Sequence, residues 1–305
     1  MRIFSNDRKQ VRSGWKIILV FVCFFVSTTI MSVVFSNIYS AFVFMTNPAL
    51  LSKQDEGISY ITEQLLSMSS FPGAFLNLIQ CILMIFFVVL FWKVLDRKKV
   101  KDIGLINIRK GWKDLFYGLL FGAISFTMVA IILLCTKSVE LVNGFNSPNF
   151  SRTLFLQLIV FIFVGINEEL FARGYCMTVL KQTKIAWIPI LGSSIIFSLM
   201  HSLNHGISLL AYVNLFLFGI FMGYLFIKTK NIWMCIGYHI TWNYFQGDIF
   251  GFLVSGNITD SIYTIRTINS NIVNGGSFGP EGGIVVTALL VVTILITYRF
   301  IPYRA

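Results

Sequence analysis

The sequence predicts an all-α protein, a polytopic bundle of about eight transmembrane helices with both termini in the cytoplasm. Three observations predict this fold class. Charged residues make up only 12% of the 305 residues, about half of what a soluble domain carries. Hydrophobic residues reach 56%, with a mean hydropathy of +0.78. Apolar runs also recur along the whole chain, so we expect residues 1–305 to form a single membrane domain.

Eight apolar runs approach the length of about 20 residues that a helix needs to cross a bilayer. In chain order they are Gly14–Phe35, Phe75–Leu95, Leu115–Cys135, Leu154–Tyr175, Ile185–Leu203, Ile207–Ile227, Ile232–Phe252 and Ile284–Ile301. The fifth and seventh runs are short. The sixth is interrupted by Asn214, Gly219 and Gly223. We still count each run as a span.

The distribution of basic residues predicts the orientation, because Lys and Arg collect on the cytoplasmic side of membrane proteins. With eight spans and the N-terminus inside, all but four of the 24 basic residues fall on the cytoplasmic side. The exceptions are Lys53, Lys137, Arg152 and Arg266. Segments 36–74 and 253–283 then become extracytoplasmic loops of a multi-pass protein of the cell membrane. The net charge of +11 is explained by basic loops beside the lipid bilayer, and we expect no nucleic-acid partner.

The cysteines indicate neither a disulfide framework nor a thiolate metal site. All five fall in or beside apolar runs, and no two form a CxxC pair.

The fourth run contains two adjacent acids and an arginine, Glu168, Glu169 and Arg173. A charge at bilayer depth costs about 2.5–3.5 kcal/mol on insertion scales, so such groups usually serve a function. In a helix, Glu169 and Arg173 are four residues apart and share a face, where they can pair. Glu168 points about 100° away. We therefore predict that Glu168 is available for chemistry, and that Glu169 and Arg173 support it.

Three further polar groups sit on two other predicted helices. His201 follows Phe197 by one helical turn, and His239 precedes Asn243 by one turn. Together with Glu168, these side chains can converge in the interior of the bundle.

This set suits the hydrolysis of an acyl bond, such as a peptide bond. A carboxylate shielded from water can take a proton from an attacking water near neutral pH. Two imidazoles and a carboxamide can polarise a carbonyl and stabilise an oxyanion. Alternatively, Glu168, His201 and His239 hold Zn²⁺ or another divalent metal that activates the water. The sequence has no HExxH, GxSxG or Walker motif.

A structural role competes with each functional one. A single histidine in a membrane helix often makes a helix–helix hydrogen bond, and we leave His205 out of the site for this reason. Asn243 alone would be a packing residue. Asp248 lies near the end of the seventh run, where we expect it to be solvated.

Three motifs together resemble the signature of the CPBP intramembrane proteases, also called the Abi or CAAX-protease family. They are Glu168-Glu169-x-x-x-Arg173, Phe197-x-x-x-His201 and His239-x-x-x-Asn243, in the family's order. The resemblance covers a catalytic core at about 154–252, and the flanking spans resemble the family only in hydropathy.

The resemblance implies an eight-helix intramembrane endopeptidase, similar to type II CAAX prenyl endopeptidases, with a cavity open to the cytoplasm. By motif position, Glu168 would activate water, His201, His239 and Asn243 would complete the catalytic set, and Glu169 and Arg173 would be supporting residues. A metalloprotease mechanism and a metal-free glutamate mechanism both remain open. The substrate would be a membrane peptide or a lipidated protein, such as a prenylated tail, a bacteriocin leader or a pheromone precursor.

The predicted spans leave one difficulty of depth. At 1.5 Å per residue, Glu168 and His239 fall near mid-membrane, whereas His201 falls near the outer face. Convergence requires the fifth helix to start deep or tilt, or the fourth to bend near Gly174.

Two other functions fit the same pattern. The fold can act as a non-catalytic membrane scaffold or bacteriocin-immunity protein. A relay of Glu, His and Arg is also typical of proton-coupled carriers.

Overall fold

A computed structural model of the chain describes Phe4, Asn6 and residues 10–304. This part folds into helices joined by turns and one small antiparallel sheet. The helices are α1 (Ser13–Thr46), α2 (Gln54–Leu66), α3 (Phe71–Phe91), α4 (Ile108–Cys135), α5 (Thr153–Glu169), α6 (Met177–Leu180), α7 (Ile188–Met200), α8 (Leu209–Thr229), α9 (Trp233–Tyr244) and α10 (Ile284–Phe300). The sheet pairs β1 (Val139–Leu141) with β2 (Ile265–Thr267).

The chain is a polytopic helical bundle, as predicted. In the described part, five helical segments are long and apolar enough to cross a membrane: Ser13–Thr46, Phe71–Asp96, Val100–Cys135, Thr153–Thr183 and Leu209–Thr229. α7 and α10 are shorter apolar helices. The count of eight spans and the side on which the termini lie stay predictions, and residues 1–3, 5, 7–9 and 305 lie outside the described part.

The segment predicted as the first outer loop, 36–74, contains a good deal of helix. α1 continues to Thr46, and α2 follows a short 3₁₀ turn at Pro48–Leu50. Ser70 then caps α3 by accepting a hydrogen bond from the Gly73 backbone N–H at 3.0 Å, which satisfies a backbone donor at the helix start.

The helix that carries Glu168 is longer than the fourth apolar run. A π-helical turn, Leu170–Cys176, continues α5 into α6, and helical structure ends only at Thr183. Glu168 is thus about 15 residues, or about 23 Å, from the connection that leads to α7. His201 follows the 13 residues of α7, about 20 Å from the same connection. The two side chains reach similar depth because the fourth run does not end at Tyr175.

Glycines bring α4 and α9 into close contact. A Cβ atom added to Gly118 would lie 2.2 Å from the Met234 carbonyl oxygen, and one on Gly122 would lie 2.3 Å from the Tyr238 carbonyl oxygen. Gly237 approaches the Leu115 carbonyl of α4 in the same way, at 2.4 Å. Small residues are the usual means by which membrane helices approach each other. This packing fixes α9, which carries His239 and Asn243.

The polar and glycine positions of the sixth run do not interrupt its helix. α8 is continuous, and Gly219 packs against Ser194 of α7, where an added Cβ would meet Ser194 Cα at 2.7 Å. Asn214 donates hydrogen bonds to the carbonyl oxygens of Glu281 (2.8 Å) and Gly283 (2.9 Å). The sixth run therefore uses these residues for packing and for holding the segment before α10.

Candidate active site

Glu168 lies at the meeting point of α5, α7 and α9. Its Oε2 atom is 3.9 Å from Nε2 of His201 and 3.9 Å from Nε2 of His239. These separations exceed a hydrogen bond, and Oε2 is buried without a hydrogen-bond partner in the described part of the protein. The three side chains that the sequence predicts to converge therefore surround one small volume between their polar atoms.

The backbone of α7 orients the His201 ring. Its Nδ1 lies 2.9 Å from the carbonyl oxygen of Phe197, one turn earlier. A carbonyl oxygen only accepts hydrogen bonds, so Nδ1 carries the proton in this contact. In the neutral ring, Nε2 then presents a lone pair towards Glu168.

Glu169 orients the His239 ring in a comparable way. His239 Nδ1 lies 3.0 Å from Glu169 Oε1, and the same oxygen accepts a hydrogen bond from Arg173 Nη1 at 3.1 Å. Glu169 and Arg173 are both fully buried. The pair expected from the four-residue spacing is present, and it also fixes a histidine from another helix.

Arg173 connects this support to the third helix of the site. Its guanidinium lies over the Phe197 ring, 4.3 Å from the ring centroid, which is a favourable cation–π arrangement. Phe197 is also the residue whose carbonyl orients His201. One buried network therefore holds both imidazoles beside Glu168.

Asn243 lies one turn beyond His239 and lines the same cavity. It is 5% exposed, and its carboxamide makes no hydrogen bond within the described part of the chain. Its N–H donors are thus available to a bound group.

The site opens into a cavity of about 660 Å³, within the range of pockets that hold small ligands. Its walls include aromatic and aliphatic side chains of α1, α3, α7, α8 and α10. Its polar lining residues include Asn77, Gln80, Asn167, Glu168, His201, Asn204, Asn214, His239, Asn243, Ser255, Asn257 and Glu281.

Glu281 is a polar residue of the cavity that the sequence analysis missed. Its Oε1 accepts a hydrogen bond from Trp242 Nε1 at 3.2 Å, and its Oε2 accepts from the backbone N–H and the hydroxyl of Ser255, both at 2.7 Å. Trp242 immediately precedes Asn243. In sequence, Glu281 stands in a glycine-rich loop, where a carboxylate usually meets solvent, and no spacing signal links it to α9.

The prediction that Asp248 is solvated is wrong. Asp248 is fully buried in a π-helical turn, Phe245–Ile249, that continues α9. Residues 250–263 fold back over it, and its backbone carbonyl accepts a hydrogen bond from Ile262 N–H at 2.7 Å. His205 is exposed in the turn after α7 and is not among the residues that line the cavity.

The fit of a metal ion can be tested from the donor set. One carboxylate and two neutral imidazoles are suitable zinc ligands. Tetrahedral zinc with bonds of about 2.0–2.1 Å would place its ligand atoms about 3.3 Å apart, whereas Glu168 Oε2 is 3.9 Å from each nitrogen. In the described residues, no group of three or more His, Cys, Asp and Glu side chains is placed to hold a metal ion. The side chains in these positions do not fit tetrahedral zinc.

Fold and site together define a class of protein, a helical membrane protein that keeps an acid and two imidazoles inside its bundle. Residues 150–245 match the family model described as type II CAAX prenyl endopeptidase, Rce1-like. This match spans all three motifs, from Glu168 to Asn243, and confirms the resemblance to the CAAX-protease family. At the level of the family, the matched segment is similar to CAAX-type intramembrane proteases. Neither the curated proteins nor the solved structures compared with the chain gave a match.

Proposed function

We propose that this protein is an intramembrane endopeptidase that hydrolyses a peptide bond of a membrane-associated peptide with a water activated by Glu168. The observation that carries the proposal is the pair of 3.9 Å separations from Glu168 Oε2 to the two histidine Nε2 atoms, beside a cavity inside the bundle. A water molecule between these atoms can donate to Glu168 while its oxygen faces the cavity.

The first chemical step forms the bond between the water oxygen and the carbonyl carbon. Glu168 accepts the proton that the water loses, and the carbonyl oxygen becomes an oxyanion. Removing that proton in the transition state is general base catalysis, which contributes about 10²–10⁴-fold to such a reaction. In the second step, the C–N bond breaks and Glu168 returns the proton to the leaving amine.

His239 and Asn243 are suited to stabilise the oxyanion. With Nδ1 bonded to the Glu169 carboxylate, a His239 ring that carries both protons is balanced by a negative charge and directs an Nε2–H donor into the cavity. The Asn243 carboxamide adds N–H donors from the same helix face. Donors that are fixed before the reaction and shielded from water contribute strongly to catalysis.

His201 is suited to hold the water. Its Nε2 lone pair, opposite the Phe197-bonded Nδ1, accepts a hydrogen bond from the water while Glu168 accepts another. Both protons of the water are then engaged, and an oxygen lone pair is left for the attack on the carbonyl carbon.

The substrate that suits this site is a peptide with an apolar or lipidated anchor. The cavity walls contributed by α1 include Phe21, Phe24 and Phe25, which would accept a lipid chain or an apolar segment. Prenylated tails and leader peptides of membrane-associated precursors both have this chemistry.

The proposal is tested by comparing newly formed peptide termini in membranes that contain the wild type or Glu168→Gln. We expect a set of cleavage products that requires the wild type and is lost in Glu168→Gln, while Glu63→Gln, the same change at an exposed acid of α2, retains it. Both variants must insert in the membrane at wild-type level. Identical products from the wild type and Glu168→Gln would overturn the proposal and favour a non-catalytic scaffold.

A further inference from the structure

We propose that substrates reach Glu168 from the extracytoplasmic half of the membrane, through a side opening between α1 and the end of α7. The proposal concerns the path by which a substrate reaches the active site, and it rests on the proposed protease function. The cytoplasmic opening implied by the family resemblance is the competing possibility.

The cavity lies towards one end of the bundle. Met68, Asn204, Ser255 and Asn257 line it, and they belong to the segments before α3, between α7 and α8, and after α9. At the opposite end, helices are joined by segments 92–107, 181–187 and 230–232. In the part of the chain that the structure describes, no residue of these three segments lines the cavity.

A packed layer separates Glu168 from that opposite end. Every residue from Glu169 to Met177 is fully buried. Beneath it, the Ser13 hydroxyl donates to the Val179 carbonyl at 2.6 Å, and the Tyr175 hydroxyl to the Lys16 carbonyl at 3.4 Å. These contacts join the start of α1 to the continuation of α5. Among the described residues, this end of the bundle is therefore closed by packed side chains, and the cavity does not extend into it.

The closed end is also the basic end. Lys16 pairs with Asp96, and Arg304 pairs with Asp114. The basic segment 97–113 and the residues Lys181 and Lys184 lie at the same end. Because basic residues mark the cytoplasmic side, the closed end faces the cytoplasm and the cavity faces outward.

The cavity also opens sideways towards lipid. Phe25 of α1 and Leu203 after α7 both line it, yet they are 49% and 85% exposed. Large apolar side chains exposed at the rim of a cavity suit contact with acyl chains or an apolar anchor. The substrate class is therefore a peptide anchored in the outer leaflet and cut close to the extracytoplasmic surface.

The test is cysteine labelling on the two sides of α7. Ser202→Cys lies in the turn after α7 and Lys181→Cys before it, and both positions are exposed. Each is placed in a Cys135→Ser background, because Cys135 is the exposed member of the five native cysteines. Intact cells with the protein in the plasma membrane are treated with a membrane-impermeant maleimide before and after permeabilisation.

We expect Ser202→Cys to be labelled in intact cells and Lys181→Cys only after permeabilisation. Labelling should also reduce cleavage at least tenfold in Ser202→Cys and leave Lys181→Cys unchanged. The opposite labelling pattern, labelling of both sites in intact cells, or labelling of neither would overturn the proposal. Adding Glu168→Gln keeps the two claims apart, because it should abolish cleavage and preserve the labelling pattern. If Ser202→Cys and Lys181→Cys are labelled as expected but the wild type cleaves no peptide, the protease function is contradicted. The outward-facing cavity is then still supported.

Discussion

His239 Nδ1 lies 3.0 Å from Glu169 Oε1, and this contact joins helices that are 70 residues apart in sequence. It gives the second acid of the Glu168-Glu169 pair a task distinct from that of the first. Glu168 faces the cavity, whereas Glu169 is fully buried between His239 and Arg173. The two adjacent acids thus lie on different faces of one helix. Glu168 faces the cavity where the reaction is proposed, and Glu169 supports His239.

Glu169→Gln tests this division. The variant keeps the shape of the side chain but loses the charge that balances a protonated His239. We expect kcat to fall by about 10–100-fold, in line with the loss of a partner that orients a functional histidine, with little change in KM. Steady-state cleavage in reconstituted liposomes measures both constants. A change confined to KM would contradict the supporting role and place Glu169 in substrate binding.

The stability of the buried ion pair is tested by Glu169→Ala. Removing one partner leaves Arg173 charged and unpaired in the interior, which costs about 3–5 kcal/mol. We expect a clear drop in the thermal unfolding temperature in detergent. The double variant Glu169→Ala with Arg173→Met removes both charges and should recover most of the stability while activity stays low. If the double variant does not recover stability, the unpaired Arg173 charge is not the cause of the lower unfolding temperature of Glu169→Ala.

His201→Ala should reduce kcat by about 10²–10⁴-fold, the range expected when a group that engages the proton-transfer step is lost. His205→Ala is the matched control, since His205 is exposed only four residues away and should retain full activity. The measurement is cleavage rate at equal protein content, with circular dichroism to confirm folding. Equal loss in both variants would point to the turn after α7 and not to the His201 ring.

The sequence predicted contacts within one helix better than contacts between helices. The Glu169–Arg173 pair follows from a four-residue spacing, and the structure contains it. The link from Glu169 to His239 depends on how α5 and α9 cross, and this crossing is set by glycines of α4 and α9 that no spacing rule connects to the site. Asp248 was misjudged for a similar reason, because its burial comes from residues 250–263 folding back over it.

The depth of His201 in the membrane depends on where the fourth helix ends. An error in that helix boundary therefore changes the predicted geometry of the site. A fourth helix that ends at Tyr175 places Glu168 and His201 at different depths in the membrane. The helical structure continues to Thr183 through a π-helical turn, a feature that often occurs at functional sites. The fourth run already includes Arg173, and what it leaves out is the helical continuation from Cys176 to Thr183. This continuation is mixed in polarity, so hydropathy alone does not place the end of the helix.

Metal dependence is tested by chelation. Because the 3.9 Å separations are wider than tetrahedral zinc requires, we expect cleavage to be unchanged after treatment with EDTA and 1,10-phenanthroline. Metal analysis should find less than one zinc per molecule in the purified wild type. Its zinc content should be the same as that of Glu168→Gln. Loss of activity on chelation, restored by added Zn²⁺, would show that Glu168, His201 and His239 close around a metal in solution.

Gly118→Ala tests whether the α4–α9 contact positions the site. The added Cβ would lie 2.2 Å from the Met234 carbonyl oxygen, so the helices must separate, and a change of this kind in a packed interior costs about 1–3 kcal/mol. We expect a lower unfolding temperature together with a lower kcat, because α9 carries both His239 and Asn243. Gly14→Ala is the matched control, since its added Cβ meets nothing within 4 Å and should leave stability and activity unchanged. If Gly118→Ala lowered stability but preserved kcat, the placement of His239 would depend on Glu169 and Arg173 alone, and the α4–α9 packing would have no part in forming the site.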